Sequence, residues 1–344
     1  MAITSSLILP PFSFLYAAAT RTRLAFFQHG VLKPTKLDAP VISVGNLTAG
    51  GTGKTPLVEY IARRVAGSGR KVCILTRGYG RENPAQRVLV SDGTTVLAKE
   101  AAAGDEPLLL AQKLEGLAAV ISDVNRIAAG RWAISNLGSE VFVLDDGFQH
   151  LQLARDLNVL VVDASNPWGN GRMLPLGPLR EPISGLSRAD CVVLTRTDQA
   201  ENLDELQRKI KTLNSRAPLF NSRMVARGFK RVDANEKINK LPGAALAFSG
   251  VGNPDSFVRQ LKTEGVEPVN VVHFRDHHRY TQGDIDELVA EGKAAGAECL
   301  VTTAKDAVKL TDLLISLPCY VLDIEIEIDN TETFVELIQT AFIA

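Results

Sequence analysis

The chain has 344 residues, of which 45% are hydrophobic, 22% charged and 6% aromatic, and its formal net charge is −1. That composition excludes a disordered polymer and a polytopic membrane protein, and the near-neutral charge leaves no global field to attract nucleic acid. The length accommodates two ordinary domains, each with its own core.

Residues 1–36 read as an arm. Leu7 to Ala19 is almost wholly apolar, and Arg21, Arg23, Leu24, Phe26, Phe27, Lys33 and Lys36 follow it. A membrane span needs about 20 apolar residues; this run is shorter and contains Pro10 and Pro11. A secretory leader carries its basic residues before the apolar stretch, not after it. The pattern predicts an interfacial helix with Pro10 or Pro11 in its first turn, aromatics toward lipid and arginines toward anionic headgroups. On the arm alone, packing against the domain or another subunit fits equally well.

Residues 37–217 alternate apolar β-rich runs with helical stretches. Strands are predicted at Val41–Val44, Lys71–Thr76, Ala118–Ser122, Val141–Asp145, Asn158–Asp163 and Cys191–Thr195. Helices are predicted at Pro56–Ala66, Pro107–Leu114, Asn125–Leu137 and Asn202–Leu213. Continuous apolar strands joined by helical crossovers imply a mostly parallel sheet covered on both faces, an α/β core. Val88–Val90 and Thr95–Ala98, around Asp92-Gly93, look like an inserted hairpin. Residues 218–232 are polar, basic and extended, and read as a linker to a smaller α/β lobe at 233–344. That lobe alternates Ala244–Ser249, helix Pro254–Glu264, Val269–His273, helix Gln282–Ala294, Cys299–Thr303 and helix Lys305–Leu314.

Cys73, Cys191, Cys299 and Cys319 are far apart and mostly in apolar runs, the pattern of buried free thiols in a reducing compartment. His273, His277 and His278 lie close together but lack a Cys pair or an H-E-x-x-H motif, so zinc ligation is discounted.

The run Val41-Ile-Ser-Val-Gly-Asn-Leu-Thr-Ala-Gly-Gly-Thr-Gly-Lys-Thr55 carries the first chemical signal. An apolar strand enters a glycine-rich turn, and Lys54-Thr55 opens an amphipathic helix. Glycines let backbone N–H groups approach phosphate oxygens, and the helix N-terminus adds partial positive charge. Lys54 is placed to reach the β- and γ-phosphates and Thr55 to hold Mg²⁺. The pattern G-x-x-x-x-G-K-[ST] expects glycine at position 48, where this chain has Thr48; Gly50-Gly51 supplies the flexibility instead. Downstream, Val141-Phe-Val-Leu-Asp145-Asp146 ends an apolar strand in two acids, either of which can bind the metal directly or through water.

A series of blocks then resembles one family. Ser43-Val-Gly-Asn-Leu47, Gly50-Gly-Thr-Gly-Lys-Thr-Pro56, Arg77-Gly-Tyr-Gly80 and Gly104-Asp-Glu-Pro107 come first. Asp145-Asp-Gly-Phe-Gln149, Gly171-Arg-Met-Leu-Pro175, Gly177-Pro-Leu-Arg-Glu181, Phe274-x-Asp-His277 and Thr302-Thr-x-Lys-Asp306 follow. In this order and over nearly the whole chain, they are similar to the tetraacyldisaccharide 4′-kinases of lipid A biosynthesis. The resemblance implies a P-loop kinase that uses ATP and Mg²⁺ to phosphorylate the 4′-hydroxyl of an acylated disaccharide 1-phosphate. It implies a peripheral position on the cytoplasmic face of the bacterial inner membrane, which tips the reading of the arm toward lipid. Each buried CH₂ of such a substrate is worth about 0.8 kcal/mol, so the lipid stays in the bilayer. Nothing calls for an obligate protein partner.

The resemblance also assigns roles. Asn46, Gly50, Gly51, Thr52, Gly53, Lys54 and Thr55 bind nucleotide, and Thr55, Asp145 and Asp146 surround the metal. By residue type alone Gly104-Asp-Glu-Pro107 is a helix start with Asp105 as N-cap; the family puts that acid at the catalytic centre, as base for the acceptor hydroxyl. His277 is expected to pair with it once the lobes close, a carboxylate beside the imidazole orienting the ring and favouring its protonated form. From the residues themselves, Arg77, Tyr79, Arg172 and Arg180 lie in Gly/Pro-rich loops that follow strands and gather beside the phosphate loop. With Gln149 they are the substrate-binding candidates, arginine gripping a phosphate in a bidentate way, and each arginine reads equally as a solvated loop charge. Thr303, Lys305 and Asp306 are expected to organise the second lobe without a chemical step.

The rival reading is a GTPase-like metallochaperone or a partition-type ATPase. Thr195-Arg-Thr-Asp198 faintly resembles a guanine-reading loop but has Arg for Lys, and Ala49 stands where the partition-type loop has Lys. A nucleotide-gated membrane scaffold is a third reading, and it would need no acceptor base.

Overall fold

The computed structural model describes residues 3–234 and 236–343, with the backbone alone for residues 3–9. The first lobe contains α1 (Ile3–Gln28), β1 (Val41–Asn46), α2 (Lys54–Gly67), β2 (Val72–Thr76) and β3 (Val88–Asp92). It continues through α3 (Glu100–Ala103), α4 (Asp105–Lys113), β4 (Ala118–Ser122), α5 (Arg126–Leu137) and β5 (Val141–Asp145). β6 (Leu157–Asp163), β7 (Cys191–Thr195), α6 (Leu203–Leu213) and the long β8 (Leu219–Arg231) follow. The second lobe runs through β9 (Lys237–Ile238), β10 (Ala245–Ser249), α7 (Pro254–Thr263), β11 (Asn270–His273) and α8 (Gln282–Ala294). It ends with β12 (Cys299–Thr302), α9 (Ala304–Ala307), β13 (Cys319–Ile328) and α10 (Thr331–Ile343).

Thirteen strands of the described residues form one sheet in the order β11-β10-β12-β13-β8-β7-β6-β1-β5-β2-β4-β3, with β9 paired to β8. β1 is buried along its whole length and pairs in parallel with β5 and β6. Such a strand needs apolar residues on both faces, which is why Val41-Ile-Ser-Val reads continuous rather than alternating. α2 covers one face with Leu57, Val58, Ile61, Ala62 and Val65, the stripe of a helix against a core. All four cysteines are free and buried.

The extended segment 218–232 is β8, and it joins the two lobes as one sheet. Its first residues, Leu219–Asn221, pair in parallel with β7, and the stretch from Ser222 to Arg231 pairs antiparallel with β13. Its basic residues have cross-strand partners: Arg223 meets Glu327 at 3.1 Å and Arg227 meets Glu325 at 2.9 Å. α10 then returns to the first lobe, where Phe334, Ile338 and Phe342 enter the same core cluster as Val44, Leu57 and Ile61.

Three expectations are corrected. α1 starts at Ile3, so Pro10 and Pro11 lie inside it rather than in its first turn. The helix expected over Lys305–Leu314 is only α9; beyond it the chain continues in tight turns, Lys309 N donating to Asp306 O and Leu310 N to Ala307 O, both at 3.0 Å. The expected hairpin is a shorter one, β3 returning through Leu97 N to Val90 O at 2.8 Å, with β3 itself paired to β4.

One side of α1 is docked on the first lobe: Ser13 Oγ donates to Met173 O at 2.9 Å and Tyr16 Oη to Arg180 O at 3.0 Å. Phe12, Phe14, Leu15 and Phe26 are exposed on it. No described helix is long and apolar enough to cross a membrane.

Phe334 is fully buried, its ring 4.9 Å from that of Phe220 and 6.1 Å from that of Tyr60. Phe334→Ala is expected to lower unfolding stability by about 3–5 kcal/mol in a urea titration, whereas a loss under about 1 kcal/mol would make α10 an ornament rather than part of the core.

Candidate active site

The loop between β1 and α2 is shaped by two glycines that no other residue replaces without strain. Gly50 has φ 111° and Gly53 φ 81°, the left-handed region. Gly53 is the N-cap of α2 and offers no side-chain cap, so the first N–H groups of the helix stay open to an anion. Thr48 needs no such freedom: it is buried, bridges Leu179, and accepts at its carbonyl from Asn46 Nδ2 at 2.7 Å. Ala49 N donates to Pro178 O at 2.7 Å, so the stretch before Arg180 clamps the loop. Arg196 braces its other side by pairing with Asp163 and donating to Gly51 O at 3.0 Å.

Lys54 Nζ sits 3.1 Å from Asn46 Oδ1 and 3.6 Å from Asp146 Oδ1. Asn46 itself is fully buried and aims Lys54 rather than lining the cavity. The two acids ending β5 differ. Asp146, held at φ 53°, meets Arg180 Nη1 at 2.6 Å. Burial pushes its carboxyl up, but Lys54 and Arg180 outweigh burial and hold it below the ordinary range. Asp145 is buried, with Thr76 Oγ1 3.3 Å away and no described cation within ion-pair distance. Burial, then the nearby Glu106 and Asp146, push its carboxyl up to about 7. A buried carboxylate with no described cation paired to it, lining the same cavity as Thr55, suits a hard divalent cation. Gln149 Nε2 donates to Asn46 O at 2.8 Å and to Glu181 Oε1 at 2.7 Å, tying the β5 end to the 178–181 stretch.

Asp105 is not the N-cap of α4; Gly104 is, at φ 91°, where a Cβ would stand 2.7 Å from Tyr79 O. Asp105 Oδ1 accepts from Glu106 N of the same helix at 2.9 Å, which leaves Oδ2 for a partner outside it. The residue is 3% exposed, and its Oδ2 lies 2.9 Å from His277 Nδ1 of the second lobe. The lobes are in contact at this pair. His277 takes φ 59°, a left-handed conformation unusual for histidine, and its ring stands 5.1 Å from Tyr79. His278 is engaged elsewhere, 3.2 Å from Asp284 and stacked on Phe274 at 4.6 Å. The Asp105 hydrogen bond raises the His277 value above ordinary despite its burial and Lys305. For Asp105, burial works upward, but His277 and Lys305 more than offset it and the net direction is down.

One cavity of about 1400 Å³ joins these parts, lined by the glycine loop, both acids, His277 and, from the arm, Tyr16 and Arg23. With that geometry in place, the comparisons with known proteins fall on one family. A family model described as tetraacyldisaccharide-1-P 4′-kinase matches residues 5–343. The chain belongs to this 4′-kinase family. It is 43% identical over 310 residues to the tetraacyldisaccharide 4′-kinase of Geobacter metallireducens, covering 89% of each chain. It is 38% identical over 345 residues to that of Syntrophus aciditrophicus, covering 97% of this chain and 92% of the relative. Among solved structures, LpxK from Aquifex aeolicus in complex with ATP matches with a TM-score of 0.77 at 32% identity, covering 98% of this chain and 99% of the other.

Of the residues singled out from sequence, Arg77, Tyr79, Gln149 and Arg180 line the cavity of this 4′-kinase relative, while Arg172 is exposed and outside the lining. Lys305 does not serve only the second lobe; it reaches across to Glu106 at 3.1 Å. Glu106, Arg126 and Glu181 also border the cavity and were not singled out. Glu106 and Glu181 stood inside quoted blocks, but Arg126 carried no sequence signal beyond the first turn of a helix.

The pH behaviour of the pair follows from its two shifts. The histidine side contributes fully below its unfolded value of 6.5 and is lost as pH rises through the raised folded value. The carboxylate side contributes fully above 3.8 and is lost as pH falls through the depressed folded value. The stability difference between the protein and its His277→Gln variant is therefore expected to be largest between about pH 4 and 6.5 and to shrink on the alkaline side. Denaturant titrations across that range measure it, and a difference unchanged from acid to alkaline pH contradicts it.

Proposed function

We propose that this chain is an ATP-dependent kinase that moves the γ-phosphoryl group onto the 4′-hydroxyl of a tetraacyldisaccharide 1-phosphate. The observation that carries the reading is the Asp105–His277 pair, whose histidine lines the same cavity as the open glycine loop and Lys54 and is bonded to the buried Asp105. A nucleotide switch has no use for an acceptor base there.

The glycine loop and the open N-terminus of α2 bind the phosphates, and Lys54, aimed by Asn46, neutralises the β- and γ-oxygens. Asp105 accepts the proton of the 4′-hydroxyl as that oxygen bonds to the γ-phosphorus and the bond to the β-phosphate oxygen breaks, releasing ADP. His277, donating from Nδ1, orients the carboxylate and spreads the proton's charge. Thr55 and Asp145 would hold Mg²⁺, and the ion would supply charge neutralisation along the phosphates. Asp145 is the better direct ligand because Asp146 is already committed to Lys54 and Arg180. Arg77 and Tyr79, exposed at the rim, suit the substrate's 1-phosphate and sugar. Arg180 and Gln149 shape the floor of the site through Asp146 and Glu181.

The arm supports a peripheral position at the cytoplasmic face of the inner membrane. Its undocked side shows Phe12, Phe14 and Leu15 to the surroundings, while Tyr16 and Arg23 border the cavity. A lipid entering from the bilayer would pass along that wall.

The test is transfer of label from γ-labelled ATP, with Mg²⁺, to a 1-phosphorylated acylated glucosamine disaccharide in detergent micelles. Lys54→Ala and Asp105→Ala are each expected to reduce kcat at least about a hundredfold. ATP hydrolysis with no labelled lipid, or a preference for GTP, overturns the assignment.

A further inference from the structure

We propose that Lys305 is a positioning residue for the acceptor base, fixing His277 in the tautomer that donates from Nδ1 to Asp105. The kinetic part of this proposal rests on the kinase reading above; the tautomer part does not.

Lys305 lies in the short α9, and its neighbours serve the fold. Thr303 Oγ1 donates to Asp306 Oδ2 at 2.7 Å, and the buried Asp306 accepts from Gly250 N at 3.0 Å and pairs with Lys309 at 2.8 Å. Lys305 turns the other way, into the lobe boundary, with its side chain 17% exposed. An ammonium has three N–H groups. Three acceptors surround this one: Glu106 Oε1 at 3.1 Å, Asp276 Oδ1 at 3.3 Å and His277 Nε2 at 3.3 Å. Asp105 Oδ2 lies at 3.9 Å. Glu106 and Asp105 come from α4 of the first lobe, Asp276 and His277 from the second. The one cation therefore draws together groups of both lobes.

The consequence for the imidazole is directional. An ammonium donates and never accepts, so an Nε2 bonded to it must carry a lone pair. The single proton of the neutral ring is then on Nδ1, pointing at Asp105 2.9 Å away. Asp105, an acceptor only, already calls for the proton on Nδ1; Lys305 adds the other half by keeping a proton off Nε2, where Asp276 Oδ2, 3.8 Å away, would otherwise favour one. The remaining charges about the cluster are already engaged or more distant: Lys309 is paired with Asp306, Arg279 donates to Gly80 O at 2.8 Å, and Glu100 lies beyond them. Removing Lys305 leaves Asp105, Glu106 and Asp276 facing one another with His277 as their nearest cation. The ring then holds a second proton to higher pH, and a carboxylate beside a cationic ring is a weaker base.

The experiment has two arms. Protein labelled with ¹⁵N-histidine is examined by NMR at about pH 8.5, above the histidine range, with the His277 signals assigned by their loss in His277→Gln. The unaltered protein is expected to show His277 protonated at Nδ1 and bare at Nε2, and Lys305→Met to lose that pattern. In the second arm, pH profiles of kcat/KM are compared. Lys305→Met is expected to lower kcat/KM at least about tenfold near neutrality and to move the acid limb upward by about one pH unit. Lys305→Arg, which keeps the charge, is expected to restore the limb, and Lys305→Gln serves if the Met variant does not fold. A merely structural lysine would lower activity equally at every pH. An unchanged tautomer and an unmoved limb overturn the proposal. Absence of lipid phosphorylation by the unaltered protein overturns the kinase reading instead and leaves the NMR arm to decide the tautomer.

Discussion

The contact on which the rest of the structure depends is the 2.9 Å hydrogen bond between Asp105 of one lobe and His277 of the other. Neither partner is useful alone. Asp105 by itself is a buried acid at a helix start, and His277 by itself is a loop residue in a costly conformation. The pair needs the lobes held in register, and the fold supplies that in several ways. β8 is shared by the parallel half of the sheet and the antiparallel β13, so the lobes are joined by backbone pairing rather than by a flexible tether. α10 returns from the second lobe to the core of the first. Arg279 of the second lobe donates to Gly80 O of the first at 2.8 Å. Gly252 brings the second lobe so near the glycine loop that a Cβ there would lie 3.3 Å from Gly51 N.

At the phosphate end the same economy of charge appears in another form. Asp145 and Asp146 are adjacent in sequence but are pushed in opposite directions, the first by burial and the second by Lys54 and Arg180. The left-handed backbone at Asp146 turns the two side chains into these different environments. Two like acids thereby sit in separate environments, one with no described cation paired to it and one engaged by Lys54 and Arg180.

Much of the phosphate half was legible in the sequence because it is built from local pattern. A strand, a glycine turn and a helix start are consecutive in the chain, and continuous apolar strands announce a parallel sheet. The family resemblance then reached Asp105 and His277, which no local pattern joins. β8 was legible only as extended chain, since its arginines look solvated until the glutamates of β13 are set opposite them. β13 does alternate Ile324, Ile326 and Ile328 with Glu325 and Glu327, the period-two signal of a strand. Lys305 was read as a fold residue because its neighbours are; its direction is set by α4, two hundred residues earlier in the chain. Arg172 shows the reverse, a candidate from its loop and residue type that lies outside the cavity lining.

The central claim is that proton acceptance is performed by a unit assembled across the lobe boundary. A double-mutant cycle on kcat tests it most directly, comparing Asp105→Ala, His277→Ala and the double variant with the unaltered protein under saturating ATP and lipid. If the two act as one unit, the double variant is no slower than Asp105→Ala within about threefold. If the two losses multiply instead, His277 acts independently of Asp105 and the account of the pair is wrong.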